Sequence, residues 1–130
     1  MRIEEINKWI NEGGSLPEEL TQEEKEHLIK LGWTKMQGWH NNGHKEYEHH
    51  YLHEMKHGKY EAWWENGQKY SKLHYLHGKP HEKWEMWRHN GQKECERHYL
   101  HGVKHGAFKQ WDKDGNLIRD KEYLYGNKIK

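Results

Sequence analysis

From residue 35 onward, apolar and polar positions recur with a period of 24. Trp39, Trp63, Trp87 and Trp111 form one column, and Tyr51, Tyr75, Tyr99 and Tyr123 a second. Each of these tyrosines is followed by a leucine: Leu52, Leu76, Leu100 and Leu124. Met36, Tyr60, Trp84 and Phe108 form a third large apolar column, and Gly43, Gly67, Gly91 and Gly115 keep the same spacing. Self-similarity of this kind marks a repeat architecture, with copies at 35–58, 59–82, 83–106 and 107–130. Within Lys59 to Glu82, the dipeptide Asn66-Gly67 divides two aromatic-rich runs, a hairpin signal that predicts a type I′ turn with positive φ at both central residues. Asn42-Gly43, Asn90-Gly91 and Asp114-Gly115 occupy the same place. A second punctuation at Gly78, Gly102 and Gly126, with Glu54 standing there in the first copy, joins each hairpin to the next. The predicted fold is mainly β: an antiparallel meander of four hairpins with up to eight strands.

Residues 1–34 read differently. Ile3, Ile6 and Ile10 share one helical face with Trp9 beside it, and Asn11-Glu12-Gly13-Gly14 ends that helix. Ser15-Leu16-Pro17-Glu18 and Thr21-Gln22-Glu23-Glu24 are both capping-box patterns; the second leads into Leu28, Ile29 and Leu31, stopped by Gly32. Two or three short helices are expected, closing the open edge of the first hairpin as a cap. The competing reading makes these acidic helices the element that contacts a partner.

Composition then sharpens the picture. Leu, Ile, Val and Phe number only 18, yet there are 8 Trp and 8 Tyr, and 22 basic residues balance 21 acidic ones. The apolar material is aromatic, and a ladder of rings is expected to replace an aliphatic core. The near-zero net charge divides into −4 on residues 1–34 and +5 on the repeats. No run approaches the roughly 18 apolar residues of a membrane span, and Met1 to Ile10 lacks the layout of a signal peptide. The lone Cys95 cannot form an internal disulfide, which fits a reducing, cytoplasmic setting.

The pattern Tyr-x-x-Gly-x-x-His-Gly-x-aromatic-x-x-Trp-x-x-Asn-Gly, seen in Tyr99, Gly102, His105, Gly106, Phe108, Trp111, Asp114 and Gly115, resembles the MORN repeat in its bacterial variant form. The copy from Tyr75 to Gly91 has Glu82 where glycine is usual, and the first copy has Glu54. The resemblance implies a hairpin-repeat fold. By analogy it also implies binding: such bacterial proteins are often grouped as antitoxin-like, and MORN repeats elsewhere are linked to protein and phospholipid binding.

Fourteen histidines offer the most tempting chemistry. They stand in columns: His50, His74 and His98; His53, His77 and His101; and His57, His81 and His105. A zinc site needs convergent ligands rather than rows, so no metal or cofactor is expected. The last column belongs to the family pattern, which implies a structural hydrogen-bonding role. Full protonation would carry the formal charge from +1 to +15, so stability is expected to fall between about pH 7 and 5.

Catalysis is not expected. No nucleophile elbow or phosphate loop is present, and Cys95, near His98, is replaced by Tyr47, Ser71 and Arg119 in the other copies. Glu94 and Glu96 read as solubilising charge. Single-stranded nucleic-acid binding by an aromatic, basic sheet is an alternative, although Glu46, Glu48, Glu61, Glu65, Glu85, Glu94 and Glu96 interrupt any basic stripe.

The expected function is therefore non-catalytic protein–protein interaction, as a small inhibitor of a toxin or nuclease-type effector. A phage-encoded inhibitor of a bacterial defence complex would read the same way. Trp64, Tyr47, Tyr70 and Tyr125 fall off the repeat pattern and are the expected anchors, with Arg88, which replaces Trp64 in the next copy. The uncovered end after Tyr123 is a further expected site, for pairing of two copies by edge strands.

Overall fold

A computed structural model describes residues 1–130. Two helices, α1 (Ile3–Glu12) and α2 (Gln22–Lys30), precede ten strands. These are β1 (Trp33–Trp39), β2 (Lys45–Leu52), β3 (Met55–Trp63), β4 (Lys69–Leu76), β5 (Lys79–Pro80), β6 (Glu82–Trp87), β7 (Lys93–Leu100), β8 (Val103–Trp111), β9 (Leu117–Leu124) and β10 (Asn127–Lys128). All belong to one antiparallel sheet in chain order, with β5 pairing β4 beside β6. The count exceeds eight because one long strand is interrupted at His81 into β5 and β6, and because Asn127–Lys128 folds back as β10.

The two kinds of turn are exchanged relative to expectation. At the Asn-Gly tips, Gly43 N–H donates to His40 O at 3.0 Å and Gly67 N–H to Trp64 O at 3.0 Å, with the same closure at Gly91 and Gly115. Only the glycine there has positive φ, and the pairing slips by one residue beside it, as at Ala62/Trp63. These are three-residue loops with a glycine bulge. The Asn42, Asn66 and Asn90 side chains hold this form by accepting the N–H two residues on, from His44, Gln68 and Gln92. The type I′ geometry lies instead between repeats: His53-Glu54, His77-Gly78, His101-Gly102 and Tyr125-Gly126 all have both φ values positive.

Cross-strand partners share a face, and the register sorts the residues into two. One face carries the row Met36, His49, Tyr60, Leu73, then Trp84, Arg97, Phe108 and Lys121. The other carries Gln37, Glu48, Glu61, Lys72, Glu85, Glu96, Lys109 and Asp120.

The helices lie on this second face. Ile6, Trp9 and Leu28 pack with Trp33 and Leu52 into the only aliphatic core cluster, while Ile3 is exposed. The leucine column records their reach: Leu52 is 2% and Leu76 6% exposed, but Leu124 is 46% exposed. Thus α1 and α2 cover a face, not an edge, and β1 ends the sheet with no strand outside it.

There are two helices, not three. The Thr21 box forms, with Glu24 N–H donating to Thr21 Oγ1 and Thr21 N–H to Glu24 Oε1. Ser15-Leu16-Pro17-Glu18 starts no helix, because the segment bends back around Leu16 and Leu20, which pack on the core cluster. Arg2 clamps the two helices through its guanidinium and main-chain N–H to the buried Glu24 carboxylate. That contact holds the carboxyl well below the usual range. The chain end is partly covered as well: Asn127 and Lys128 pair with Leu124 and Tyr123.

Candidate functional site

Seven rings zigzag across the first face. Tyr51, Tyr60, Tyr75, Trp84, Tyr99, Phe108 and Tyr123 follow one another, with centroid separations of 6.4 Å for the first pair and 4.9 to 5.4 Å for the rest. The tyrosine column and the Tyr60–Trp84–Phe108 column thus interleave, each ring lying between two from neighbouring strands, tilted or edge-on as ring quadrupoles prefer. Lys56 lies over Tyr60 and Tyr75, and Lys104 over Phe108 and Tyr123. The Trp39, Trp63, Trp87 and Trp111 column is not part of this ladder. Trp63 is flanked by the ammonium groups of Lys45 and Lys69, and Trp87 by that of Lys93. These indoles sit where the glycine bulge shifts the register, and lysine stems rather than rings come to lie beside them.

The second face is an ion-pair network. Its register sets Glu48 opposite Glu61 and Glu85 opposite Glu96, a repulsive arrangement unless cations intervene. Lys59 and Lys69 reach Glu61, which is 4% exposed, and Lys93 bridges Glu85 and Glu96 at 2.7 Å to each. Burial opposes ionisation of Glu96, but hydrogen bonds from Lys93 and His98 outweigh it and pull its pKa down to about 2. The acids expected to interrupt a basic stripe are therefore mostly neutralised on the face away from the ring ladder.

The His57, His81 and His105 column is structural. Each Nδ1 accepts, at 3.0 Å, the N–H of the residue that opens the type I′ turn 20 positions later: His77, His101 and Tyr125. His57 also donates from Nε2 to Trp9 O at 2.7 Å, tying the cap to the sheet. Burial pushes the His57 and His81 imidazoles below their ordinary pKa. No three His, Cys, Asp or Glu side chains converge in a metal-binding group. Burial likewise raises the Cys95 thiol pKa, the opposite of what a nucleophile needs.

Of the five expected anchors, three meet. Tyr47, Tyr70 and Trp64 line an open groove of about 390 Å³ with His40, Glu46, His49, Ala62 and Trp63. They are not free of structural duty. Trp64 stands edge-on to Tyr70 at 4.5 Å and donates its indole N–H to Trp87 O, and the Tyr47 ring covers Gly38, where a Cβ would come within 2.6 Å of it. Trp64 occupies a column of donors that reach one repeat ahead: His40 to Trp63 O, Trp64 to Trp87 O and Arg88 to Trp111 O. Arg88 is committed there, and Tyr125, 66% exposed, opens the last type I′ turn at the far end of the sheet.

Sequence reasoning missed a second grouping on the ring face. Arg97 and Lys121 stand where earlier copies have His49 and Leu73, and Arg119 replaces Tyr47 and Ser71. Substitution of a column by cations toward one end was the available signal.

No helix is long and apolar enough to cross a membrane. No curated protein and no solved structure shows significant similarity to the chain. A family model described as MORN repeat variant matches residues 56–77 and 104–125, two segments one double repeat apart. The segment between them carries Pro80 and Glu82 where the matched copies have Lys56 and Gly58, or Lys104 and Gly106. The chain thus carries MORN-variant repeats at residues 56–77 and 104–125, set within an antiparallel sheet of consecutive hairpins.

Proposed function

We propose that the chain is a non-catalytic binding protein that docks a protein partner through the aromatic groove at the tips of its first two repeats and inhibits it, in the manner of an antitoxin acting on a toxin or nuclease-type effector. The convergence of Tyr47, Tyr70 and Trp64 on one apolar groove carries this reading. Rigid amphipathic rings in a shallow groove with a polar rim are what interface hot spots are made of. The single-layer sheet offers a broad surface, as repeat proteins do, and the buried, unpaired Cys95 suits a reducing compartment such as the cytoplasm. Tagged protein expressed in its native cells is expected to retain one stoichiometric partner, and the double variant Tyr47→Ala/Tyr70→Ala to lose it while keeping its circular dichroism spectrum. Added to the purified partner, the chain is expected to suppress that partner's activity. Capture unchanged in the double variant would overturn the groove as the site. An active partner in a saturated complex would overturn the inhibitor role.

A further inference from the structure

A second cavity, of about 240 Å³, opens on the ring face between β7, β8 and β9. Arg97, Lys104, Arg119 and Lys121 line it with Cys95, Tyr99, Phe108, Gln110, Tyr123 and Lys109, the last from the row of the opposite face, so the ring face contributes four cations and no acid. The register explains the clustering. Arg97, Phe108 and Lys121 form one cross-strand row, and Cys95, Gln110 and Arg119 the next. The ion pairs of the sheet are made by other lysines and by His50 and His98, with Glu48, Glu61, Glu85 and Glu96. Arg97, Lys104, Arg119 and Lys121 make none. Contact with Lys128, then partial desolvation and lastly the nearby Arg119, holds the Lys121 ammonium below the usual lysine range.

A partner for this surface must bring negative charge to the forks of Arg97 and Arg119 and flat apolar groups to the edges of Tyr99, Phe108 and Tyr123. Nucleotide units bring both, whereas an acidic peptide brings charge alone. The cavity is smaller than the roughly 300–1,000 Å³ of enclosed small-molecule sites, which suits one unit of a polymer lying across the strands. A sheet face with cations around aromatic rings is also the usual platform for single strands.

We infer that the β7–β9 end of the ring face binds single-stranded nucleic acid, seating a phosphate between Arg97 and Arg119 and a base against the rings. This site is distinct from the groove lined by Tyr47, Tyr70 and Trp64 and does not depend on it.

The test is fluorescence anisotropy of the full chain with a labelled 12-nucleotide oligo-dT. Binding is expected at about 50 mM salt, to weaken steeply by about 200 mM as counterion release dictates. Arg97→Ala/Arg119→Ala is expected to weaken it at least tenfold and to lower the salt slope by about 0.7, one phosphate contact's worth on a single strand. Lys72→Ala, which removes a cation from the opposite face, is expected to leave it unchanged. Both arginines are exposed and make no side-chain hydrogen bond, so the variant's melting temperature should match that of the parent and exclude misfolding. The inference is overturned if the oligonucleotide does not bind, if Lys72→Ala weakens binding as much as the double variant, or if a duplex of the same length competes equally. Binding of phosphatidylserine vesicles without binding of the oligonucleotide would overturn it too.

Discussion

Glu82 is the most informative single position for testing how the repeats hold together. It occupies the column of Gly58 and Gly106, and all three have positive φ: +63° at Glu82, +83° at Gly58 and +110° at Gly106. A side chain in that region costs about 1–2 kcal/mol. Glycine removes the cost but adds roughly 0.4–1 kcal/mol of unfolded-chain entropy. The Glu82 side chain is exposed and makes no ion pair or hydrogen bond, so little else is lost. Glu82→Gly should therefore stabilise the chain by about 0.5–1 kcal/mol, a rise in Tm of about 2–5 °C at this chain length.

Glu82→Ala is the control. It removes the same charge but keeps the strained φ, so it should gain little. Gly58→Ala has the opposite sign. Its Cβ would overlap Trp9 Nε1 and come within 3.1 Å of Gly14 O, and Trp9 is held in the only aliphatic core cluster. The loss there should be about 2–3 kcal/mol, from backbone strain plus displacement of the cap. Urea denaturation followed by tryptophan fluorescence measures all three. A Glu82→Gly variant no more stable than Glu82→Ala would refute the backbone explanation.

Further outcomes follow from the same structure. His57→Ala strips Trp9 O of one of its two donors and His77 N–H of its acceptor in a site with no exposure, and should cost about 3 kcal/mol in urea; His105→Ala, lacking a cap above it, should cost clearly less. Trp84→Ala breaks ring contacts on both sides and leaves His74 O without its indole donor, a loss of about 3–4 kcal/mol by the same measurement. Burial holds His49, His57 and His81 below the unfolded value of 6.5. The unfolded chain therefore takes up protons first, and stability is full above about pH 6.5 and falls as pH drops through the lowered folded values. A Tm flat between pH 7 and 5 would refute this. Glu96, at about 2 in the fold, keeps its contribution above about pH 4.5 and loses it only as pH falls toward 2.

The period of 24, the strand pairing order and the existence of a ring ladder were legible because each depends on local register, and register in a meander of tight turns follows from spacing along the chain; that the Trp63 and Trp87 column stands outside the ladder was not. The Thr21 capping box was legible for the same reason, being set by residues at fixed offsets, whereas the structural role of the His57 column was implied by the family resemblance. Turn type was not. Asn-Gly is compatible with both a two-residue and a three-residue loop, and the choice was made by the Asn42, Asn66 and Asn90 side chains bonding two residues on.

The off-pattern aromatics looked spare because their duty runs between repeats. Trp64 serves Trp87 O, 23 residues away, a bond visible only once the hairpins lie side by side. The split of charge between faces was hidden as well, since Glu61 and Tyr60 are neighbours in sequence but point to opposite sides of the sheet. Spacing alone determined that this chain forms four hairpins in a row. Which face keeps its acids paired, which face leaves Arg97 and Arg119 without counter-charge, and that the helices cover a face and not an edge were decided by the pleat and by packing on Trp33 and Leu52, because side-chain direction in a bulged sheet depends on every register shift before it.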